Sequence, residues 1–413
     1  MKRRIRYPEY FADFACVGGA CEDSCCNQWR IYLDQDTFEN YSRIEETELR
    51  RLLDEYVESN RSSQSEARYG TIRLTADRRC PFLTPDCLCI LQQRRGVAAL
   101  SQTCLTYPRV FNSVNNILEG AAEISCPEAA RQVLLNPAGI RLIEGELDLD
   151  QRFALNNAVN SVGSAAQFAL ARYFQEVRDF AIDLVQDRRI SLSDRLTLLG
   201  MVSSKIQASI DSGEGPAIPA ILEEYVQLRL QPGLSDELAR IPVNATRQLT
   251  LLKALLDEKN ARGTNIAAFR ECHEQFLGGL GFNRDLSPDQ IVDCYHTNYG
   301  RYFVPFMTEK EYILENYCVN YLFRYQFPIF EKNDYQNIFK AAVRLLLNYA
   351  LLKLYLIGLG GFHGGLTDEL AVKWTYSFGK AVEHDSGFMT DMIDFMEHNG
   401  LMTLAHLTVL IRN

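Results

Sequence analysis

The chain has 413 residues, of which 47% are hydrophobic and 23% charged, so it can bury a core and disorder is excluded as its main state. Its 53 acidic side chains outnumber its 43 Lys and Arg side chains, and the net charge of −10 argues against nucleic acid as a partner. The length predicts two domains.

The two segments that resemble export or membrane signals both fail on composition. The N-terminus is basic, but Tyr7, Pro8 and Glu9 interrupt the apolar region that a secretory signal requires. The most apolar stretch, residues 343–360, contains Arg344 and falls short of the roughly 20 apolar residues of a membrane span. We therefore expect a buried helix there, and a cytoplasmic protein without a membrane partner.

The cysteines are concentrated in the first third of the chain. Nine of the twelve lie before residue 127: Cys16, Cys21, Cys25, Cys26, Cys80, Cys87, Cys89, Cys104 and Cys126. Disulfides require an oxidising compartment and are most common in small secreted domains, whereas reduced thiolates grouped in this way are typical ligands of zinc or of an iron–sulfur cluster. Metal binding is the favoured interpretation, and disulfides or redox sensing are the alternatives.

The predicted fold is mainly α, in two parts. Residues 1–135 read as an irregular cysteine-rich metal-binding domain, and residues 150–413 as an irregular all-α domain that could bind a substrate, with the boundary in residues 136–150. In the second part the apolar residues recur at helical spacing. Helices are predicted at residues 160–187, 191–208, 219–230, 236–260, 266–280, 288–295, 310–323, 335–359, 366–384 and 386–399.

The cysteine spacing indicates several ligand-bearing turns that converge on one centre. The first turn carries Cys16-x4-Cys21-x3-Cys25-Cys26, and the later ones carry Cys80, Cys89, Cys104 and Cys126. Adjacent cysteines do not easily point at one atom, so Cys25 and Cys26 could serve different sites. The Cys-x3-Cys-x2-Cys motif of radical S-adenosylmethionine enzymes is not satisfied, because its third position is Gln28. Cys87 is the least favoured ligand of the nine.

These motifs resemble the flagellin lysine-N-methylase family. The resemblance is dense in residues 14–130, through Cys-x3-Cys-Cys, Cys80-Pro-Phe-Leu, Thr103-Cys-x-x-Tyr-Pro-Arg109 and Ser125-Cys-Pro-Glu, and thin beyond, where residues 315–317 and 320–328 match. Parts of these motifs are also similar to small zinc- or iron-chelating cysteine-rich domains. The resemblance implies methyl transfer from S-adenosylmethionine to flagellin lysines by an enzyme with a 4Fe–4S cluster. The family cysteines are matched by Cys16, Cys21, Cys25, Cys26, Cys80, Cys89, Cys104 and Cys126, and not by Cys87.

Three polar residues lie between the cysteine segments. Asp23 could position a lysine, Arg109 could bind the carboxylate of the cofactor, and Tyr107 completes the predicted catalytic set. The alternative is that all three support the ligand-bearing turns. A nucleotide-binding glycine turn after a strand is missing, because the glycine-rich segments 277–281 and 358–365 follow helical patterns and read as helix ends.

The predicted function is therefore an S-adenosylmethionine-dependent lysine N-methyltransferase that acts on flagellin. The alternative is a non-catalytic zinc- or iron-binding module with a partner-binding helical domain. None of the six histidines lies in the cysteine-rich part, and no second metal site is expected among them.

Overall fold

The computed structural model describes residues 2–60, 68–161, 168–329, 331 and 334–412, with the backbone alone described at 258–262 and 386. The strands are β1 (Lys2–Pro8), β2 (Ile31–Leu33), β3 (Val57–Ser59), β4 (Gly70–Ile72), β5 (Arg109–Val114), β6 (Ile117–Ala122), β7 (Leu142–Asp148) and β8 (Leu155–Val159). The early helices are α1 (Tyr10–Asp13), α2 (Gln35–Ser42), α3 (Thr47–Tyr56), α4 (Ile90–Arg95), α5 (Gln102–Thr106) and α6 (Pro127–Leu134).

The remaining helices follow β8 and make the fold mainly α, as predicted. They are α7 (Ala169–Arg172), α8 (Phe174–Val185), α9 (Leu192–Asp211), α10 (Ile218–Leu228), α11 (Leu234–Ala239), α12 (Ala245–Arg262), α13 (Ala267–Leu280), α14 (Pro288–Asn298), α15 (Val304–Lys310), α16 (Tyr312–Arg324), α17 (Ile338–His363), α18 (Asp368–Phe378), α19 (Ser386–His398) and α20 (Leu404–Ile411). Residues 299–303 and 379–383 are π-helical turns.

The described residues between Lys2 and Val159 form two sheets, so the prediction of an irregular cysteine-rich region was incomplete. One sheet has five strands in the order β7-β1-β6-β5-β8, in which β1 runs parallel to β6 and β5 parallel to β8. The other is antiparallel, in the order β2-β4-β3. Asn115 and Asn116 both have positive φ, which is the geometry of a tight hairpin turn and joins β5 to β6.

The five-stranded sheet extends past residue 135, the predicted end of the cysteine-rich part. β7 lies within the predicted boundary stretch and pairs with β1 along its whole length, and β8 lies in the part predicted to be all-α. That part is therefore not purely helical. The division of the chain into two domains stays a prediction.

Most predicted helices are present, with shifted ends. Ser191 caps α9 as expected, by accepting a hydrogen bond from the amide of Asp194. The helix predicted at 236–260 is two helices, α11 and α12, separated near Pro242, because proline lacks the amide hydrogen that a helix interior needs. Residues 162–167 of the helix predicted at 160–187 lie outside the described residues, and α20 was not predicted.

The apolar helix α17 occupies the centre of the helical half. It is the one helix in the described chain that is long and apolar enough to cross a membrane, and 89% of its apolar window is buried inside the protein. It packs against α9, α13 and α20. This is the environment of a core helix, which confirms the predicted buried helix at residues 343–360.

Candidate functional site

Four of the predicted metal-binding cysteines surround a small hydrophobic core beside the three-stranded sheet. Cys80 is buried in this core, and Cys26, Cys89 and Cys104 pack against it. The amide of Cys80 donates to the carbonyl oxygen of Cys26 at 2.8 Å, and a β-bridge joins Leu83 to Cys89. Burial and then the neighbouring thiols, among them Cys80, raise the pKa of Cys104 to about 12. We call these four cysteines the inner thiol group.

The other four predicted ligands, Cys16, Cys21, Cys25 and Cys126, form the outer thiol group. Burial raises the pKa of Cys126 to about 12, and the nearby Cys21 and Cys25 act in the same direction. Cys16 in turn interacts with Cys21. Cys25 connects the two groups, because its Sγ lies 3.9 Å from the Sγ of Cys26.

The donor chemistry of the two groups suits a soft metal or a cluster, but their arrangement is not a finished ligand set. All twelve cysteines are free thiols. In the part of the chain that the structure describes, no three Cys, His, Asp or Glu side chains are already placed to hold one metal ion. The predicted iron–sulfur or zinc centre therefore stays a prediction. Cys87 is exposed on a turn, with φ +57°.

The register of the large sheet explains why distant segments meet at one edge. In the β5–β6 hairpin Arg109 pairs with Ala122, so the residues before Arg109 and those after Ala122 leave the same end. The amide of Glu123 extends this pairing by donating to the carbonyl oxygen of Pro108 at 2.8 Å. Because β1 is parallel to β6, the segment after β1 that leads to Cys16 leaves at this end as well.

An open cleft lies between this edge and the helical half. It consists of two adjoining cavities of about 680 Å³ and 590 Å³, which share five lining residues: Asn27, Gln28, Asn265, Ile266 and Lys380. The larger cavity is also lined by Asp23 and by residues of α13 and α18. The smaller one contains Cys25, Trp29 and Tyr107 on one side and His384 on the other. Trp29 and Tyr107 form an aromatic wall with ring centroids 5.4 Å apart.

A chain of hydrogen bonds lines the smaller cavity. The Oγ of Ser125 lies 3.0 Å from the hydroxyl of Tyr107 and 2.8 Å from Nε2 of His384. The same His384 nitrogen is 3.9 Å from Oε2 of Glu123, whose other oxygen is bound by Arg324. Burial opposes ionisation of Glu123, but Arg324 and then His384 outweigh it and lower the pKa of this carboxyl.

Lys380 joins the helical half to the cysteine loop. Its Nζ lies 2.7 Å from Oδ2 of Asp23 and donates to the carbonyl oxygen of Ser24 at 3.2 Å. Cys25 is the residue after Ser24, so Lys380 lies close to it. The hydrogen bond from the Cys26 thiol lowers the pKa of Cys25 to about 7, and Lys380 acts in the same direction. Cys25 is the thiol of the outer group that lines the cleft, and its surroundings favour the thiolate.

The structure separates the three predicted catalytic residues. Asp23 and Tyr107 line the two cavities of the cleft. Arg109 lines neither; its Nη2 donates to the carbonyl oxygen of Phe14 at 2.9 Å, and its guanidinium lies 5.0 Å from the centroid of the Phe14 ring. Arg109 therefore holds the segment that leads into Cys16, which is the supporting role considered as the alternative for it.

His384 and Lys380 were not predicted as site residues. Both belong to or follow the π-helical turn 379–383, which no spacing pattern in the sequence reveals. The turn approaches the sheet edge closely, because a Cβ atom on Gly379 would lie 3.0 Å from the backbone nitrogen of Ser125. A glycine at this position could have indicated close packing in the sequence, but the sequence does not show that Gly379 packs against Ser125.

Residues 315–328, the helical segment that resembles the methylase family in sequence, connect the two halves of the molecule. Asn316 donates to the carbonyl oxygen of Asn136 at 2.8 Å, and Asn320 donates to that of Ala122 at 3.2 Å. The hydroxyl of Tyr317 donates to Glu383 at 2.7 Å. These side chains of α16 thus connect the end of β6 and the π-helical turn to one helix. Because both lie beside the cleft, these contacts hold its two sides in place.

The comparisons with known proteins agree with the resemblance seen in the sequence. Residues 178–410 match the model of the FliB lysine N-methylase C-terminal domain. This match covers the helical half, where the sequence motifs had given the thinner resemblance. No solved structure matches the chain.

Curated relatives match over a shorter part. The chain is 29% identical over 196 residues to the lysine-N-methylases of Salmonella choleraesuis strain SC-B67 and Salmonella typhimurium strain LT2, which is 43% of this chain and 48% of each relative. It is 30% identical over 179 residues to the flagellar biosynthetic protein FliU of Salmonella muenchen, which is 43% of this chain and 95% of that protein. The chain thus spans about half the length of the two lysine-N-methylases. The family model alone covers more than half of the chain, and the chain belongs to the FliB lysine N-methylase family.

Proposed function

We propose that this protein is a lysine N-methyltransferase that transfers methyl groups from S-adenosylmethionine to lysines of flagellin, with the reaction in the cleft between the thiol groups and the helical half. The observation that carries the proposal is the chain of Tyr107, Ser125 and His384 beside Cys25, because it combines proton-accepting groups with the thiols in one accessible cavity. The names of the relatives, lysine-N-methylase and flagellar biosynthetic protein, supply the substrate class.

The cleft has the groups that a lysine side chain needs. Trp29 and Tyr107 offer aromatic surface for its methylene chain, and cations favour such ring faces. Asn27 and Gln28 line both cavities, and each has a buried amide oxygen without a hydrogen-bond partner among the described residues. These oxygens are acceptors for an amine. Asp23 supplies a negative charge close by, although Lys380 shares it.

Methyl transfer requires an uncharged lysine nitrogen, so the substrate must lose a proton first. We assign the proton acceptor to Nε2 of His384, reached through the hydroxyl groups of Tyr107 and Ser125, with Glu123 stabilising the resulting imidazolium. The nitrogen lone pair then attacks the methyl carbon, the carbon–sulfur bond of the donor breaks, and S-adenosylhomocysteine leaves with the electron pair. The product is a methylated ammonium that keeps its two protons, and His384 releases the proton it accepted to solvent.

The thiol groups are proposed to hold a 4Fe–4S cluster, with zinc as the alternative. Thiolates of the inner and outer thiol groups would hold the cluster, which would supply a binding point for the amino-acid end of S-adenosylmethionine. Anaerobic purification followed by an optical spectrum and assays of iron and sulfide tests this assignment. A colourless protein that contains only zinc would remove the cluster and favour the non-catalytic metal-binding alternative.

The reaction itself is tested by incubating the protein with purified flagellin and S-adenosylmethionine. We expect lysine peptides of flagellin to gain about 14 Da per methyl group, which mass spectrometry measures. A metal-loaded protein that leaves flagellin unchanged would refute the proposal.

His384→Gln tests the proton acceptor. We expect a loss of about 100-fold in kcat, the lower end of what general bases contribute, and loss of the acidic limb of the pH profile, which deprotonation of an imidazole produces. His406→Gln is the matched control, because His406 lies on α20, where its ring nitrogen contacts Thr403. An unchanged pH profile in His384→Gln would exclude this histidine as the acceptor.

A further inference from the structure

A third cavity, of about 590 Å³, lies on the other side of the segment that carries His384. Its lining comes from β5, β8, the end of α16, α17 and α19, and includes Arg324 and Arg344. The ion pair of Arg324 with Glu123 lies between this cavity and the cleft. The cavity is therefore a separate site, and its contents do not meet the thiol groups directly.

Gln326 in the wall of this cavity is unusual in two independent ways. Its backbone is left-handed, with φ +55°, a strained conformation that a long side chain rarely adopts. The residue is 1% exposed, and neither atom of its side-chain amide has a hydrogen-bond partner among the described residues. A buried polar atom without a partner destabilises the fold, because it has lost its hydrogen bonds to water. A ligand with a donor and an acceptor would satisfy both atoms.

The charges around the cavity are arranged in two layers. Arg324 and Arg344 are at its base, with guanidinium carbons 3.9 Å and 5.5 Å from the centroid of the Tyr325 ring. Arg324 binds Glu123 through Nη2, while its Nε and Nη1 lack hydrogen-bond partners in the described part of the chain. The buried Glu383 accepts from the Tyr325 hydroxyl behind this ring.

The acidic side chains that face the cavity are Glu331 and Asp391, and both residues are exposed. A cationic base and an acidic mouth fit a ligand that carries both charges close together. A carboxylate would bind the guanidinium groups, which prefer planar, two-pronged partners, and an ammonium would face the mouth. A multiply charged anion such as phosphate would instead meet repulsion from both carboxylates.

We propose that this cavity binds a small molecule through an α-amino-acid end, with its carboxylate on Arg324 and Arg344 and with the amide of Gln326 as a further partner. The volume leaves room for a large side chain beyond that end, since ligand cavities of about 300–1,000 Å³ hold drug-sized molecules. The proposal does not depend on methyl transfer, because the cavity is separate from the cleft.

The test uses the full-length protein. The twenty L-amino acids and S-adenosylhomocysteine are screened singly by thermal shift, and the strongest ligand is titrated by calorimetry. We expect at least one to bind, its carboxamide and its deaminated form to bind about ten-fold more weakly or worse, and Gln326→Leu and Arg344→Met each to weaken binding by about ten-fold.

Asn348→Leu is the matched control, because Asn348 is also fully buried with both amide atoms unpartnered among the described residues, but does not line the cavity. Its affinity should equal that of the unmodified protein. Arg344→Met keeps the test valid if Gln326→Leu does not fold. Three results would overturn the proposal: no binding by any of the compounds, equal binding of the carboxamide, or inorganic phosphate binding more tightly than every amino acid.

Discussion

The described part of the chain has two hydrophobic cores of very different size. The large core runs from the five-stranded sheet through the helices to α20, whereas the small core beside the three-stranded sheet contains ten buried residues, one of them Cys80. Small cores rarely stabilise a fold alone and are often completed by a metal. The comparison teaches that the same chain uses apolar burial in one region and, as we propose, metal ligation in the other.

The sharpest way to break this comparison is to remove one ligand from the small core. We expect Cys104→Ser to lose the bound metal and the methyl-transfer activity completely, because a hydroxyl is a poor ligand for the proposed centre. Iron, sulfide and zinc analysis measures the loss. The control is Cys318→Ser, since Cys318 is fully buried in the large core, away from both thiol groups. Equal metal content in the two variants would show that Cys104 is not a ligand.

The large core can be tested at the ion pair that joins its sheet to its helices. Arg178 on α8 binds both carboxylate oxygens of Glu119 on β6, at 2.7 Å and 2.5 Å, and both residues are buried. We expect Arg178→Met to lower the free energy of unfolding by about 3–5 kcal/mol, because it leaves a buried carboxylate unpaired. Urea denaturation measures it.

The double variant Arg178→Met with Glu119→Leu is the control for this test, because it removes both charges. We expect it to regain part of the lost stability, since two apolar side chains leave no unpaired charge behind. Metal content should stay unchanged in both variants. Loss of metal on breaking this pair would mean that the two cores are not independent.

A smaller effect is expected on the pH dependence of the free energy of unfolding, through the buried side chain of Lys353. Its Nζ donates to the carbonyl oxygen of Ile411 at 3.0 Å. Burial, assisted by Arg412, lowers the pKa of Lys353 to about 7 from 10.5. Between these values the unfolded chain binds more protons than the folded one, so stability should rise with pH, by up to about 1.4 kcal/mol per unit.

The variant Lys353→Met separates the contribution of Lys353 to the pH dependence of stability from the contribution of the buried thiols. The difference in unfolding free energy between the unmodified protein and the variant should grow from pH 7 to pH 10 in favour of the unmodified protein. Chemical denaturation at several pH values measures it. Parallel pH profiles would contradict the assignment.

The smallest effect is expected from Cys87→Ser. Cys87 is exposed and matches no cysteine of the family motifs, so metal content, activity and stability should all remain unchanged. Loss of metal in this variant would require the ligand sets to be assigned anew.

The sequence predicted the helical half well because a helix depends on nearby residues. The apolar spacing of α17 and the Ser191 cap of α9 are local patterns, and both predictions are confirmed. The five-stranded sheet was missed because its pairs are distant: β1 pairs with β7 about 140 residues later, and its strands are short and partly polar. The Asn115–Asn116 turn was the one local signal of the sheet.

The candidate site was predictable only in part for the same reason. The cysteine segments, Asp23 and Tyr107 could be selected by residue type and spacing. His384 reaches Ser125 across 259 positions through a π-helical turn, and no local pattern specifies that contact. Arg109 was selected for its charge, but its surroundings direct that charge to a backbone carbonyl.

The close approach of Gly379 to Ser125 also bears on how such proteins could be recombined. A Cβ atom at position 379 would lie 3.0 Å from the backbone nitrogen of Ser125 and 3.1 Å from Cγ1 of Ile124, so this joint has no spare space to absorb a mismatch. A chimera that combined the thiol-bearing part of one relative with the helices of another would keep the cleft intact only if both sides of this joint came from the same parent.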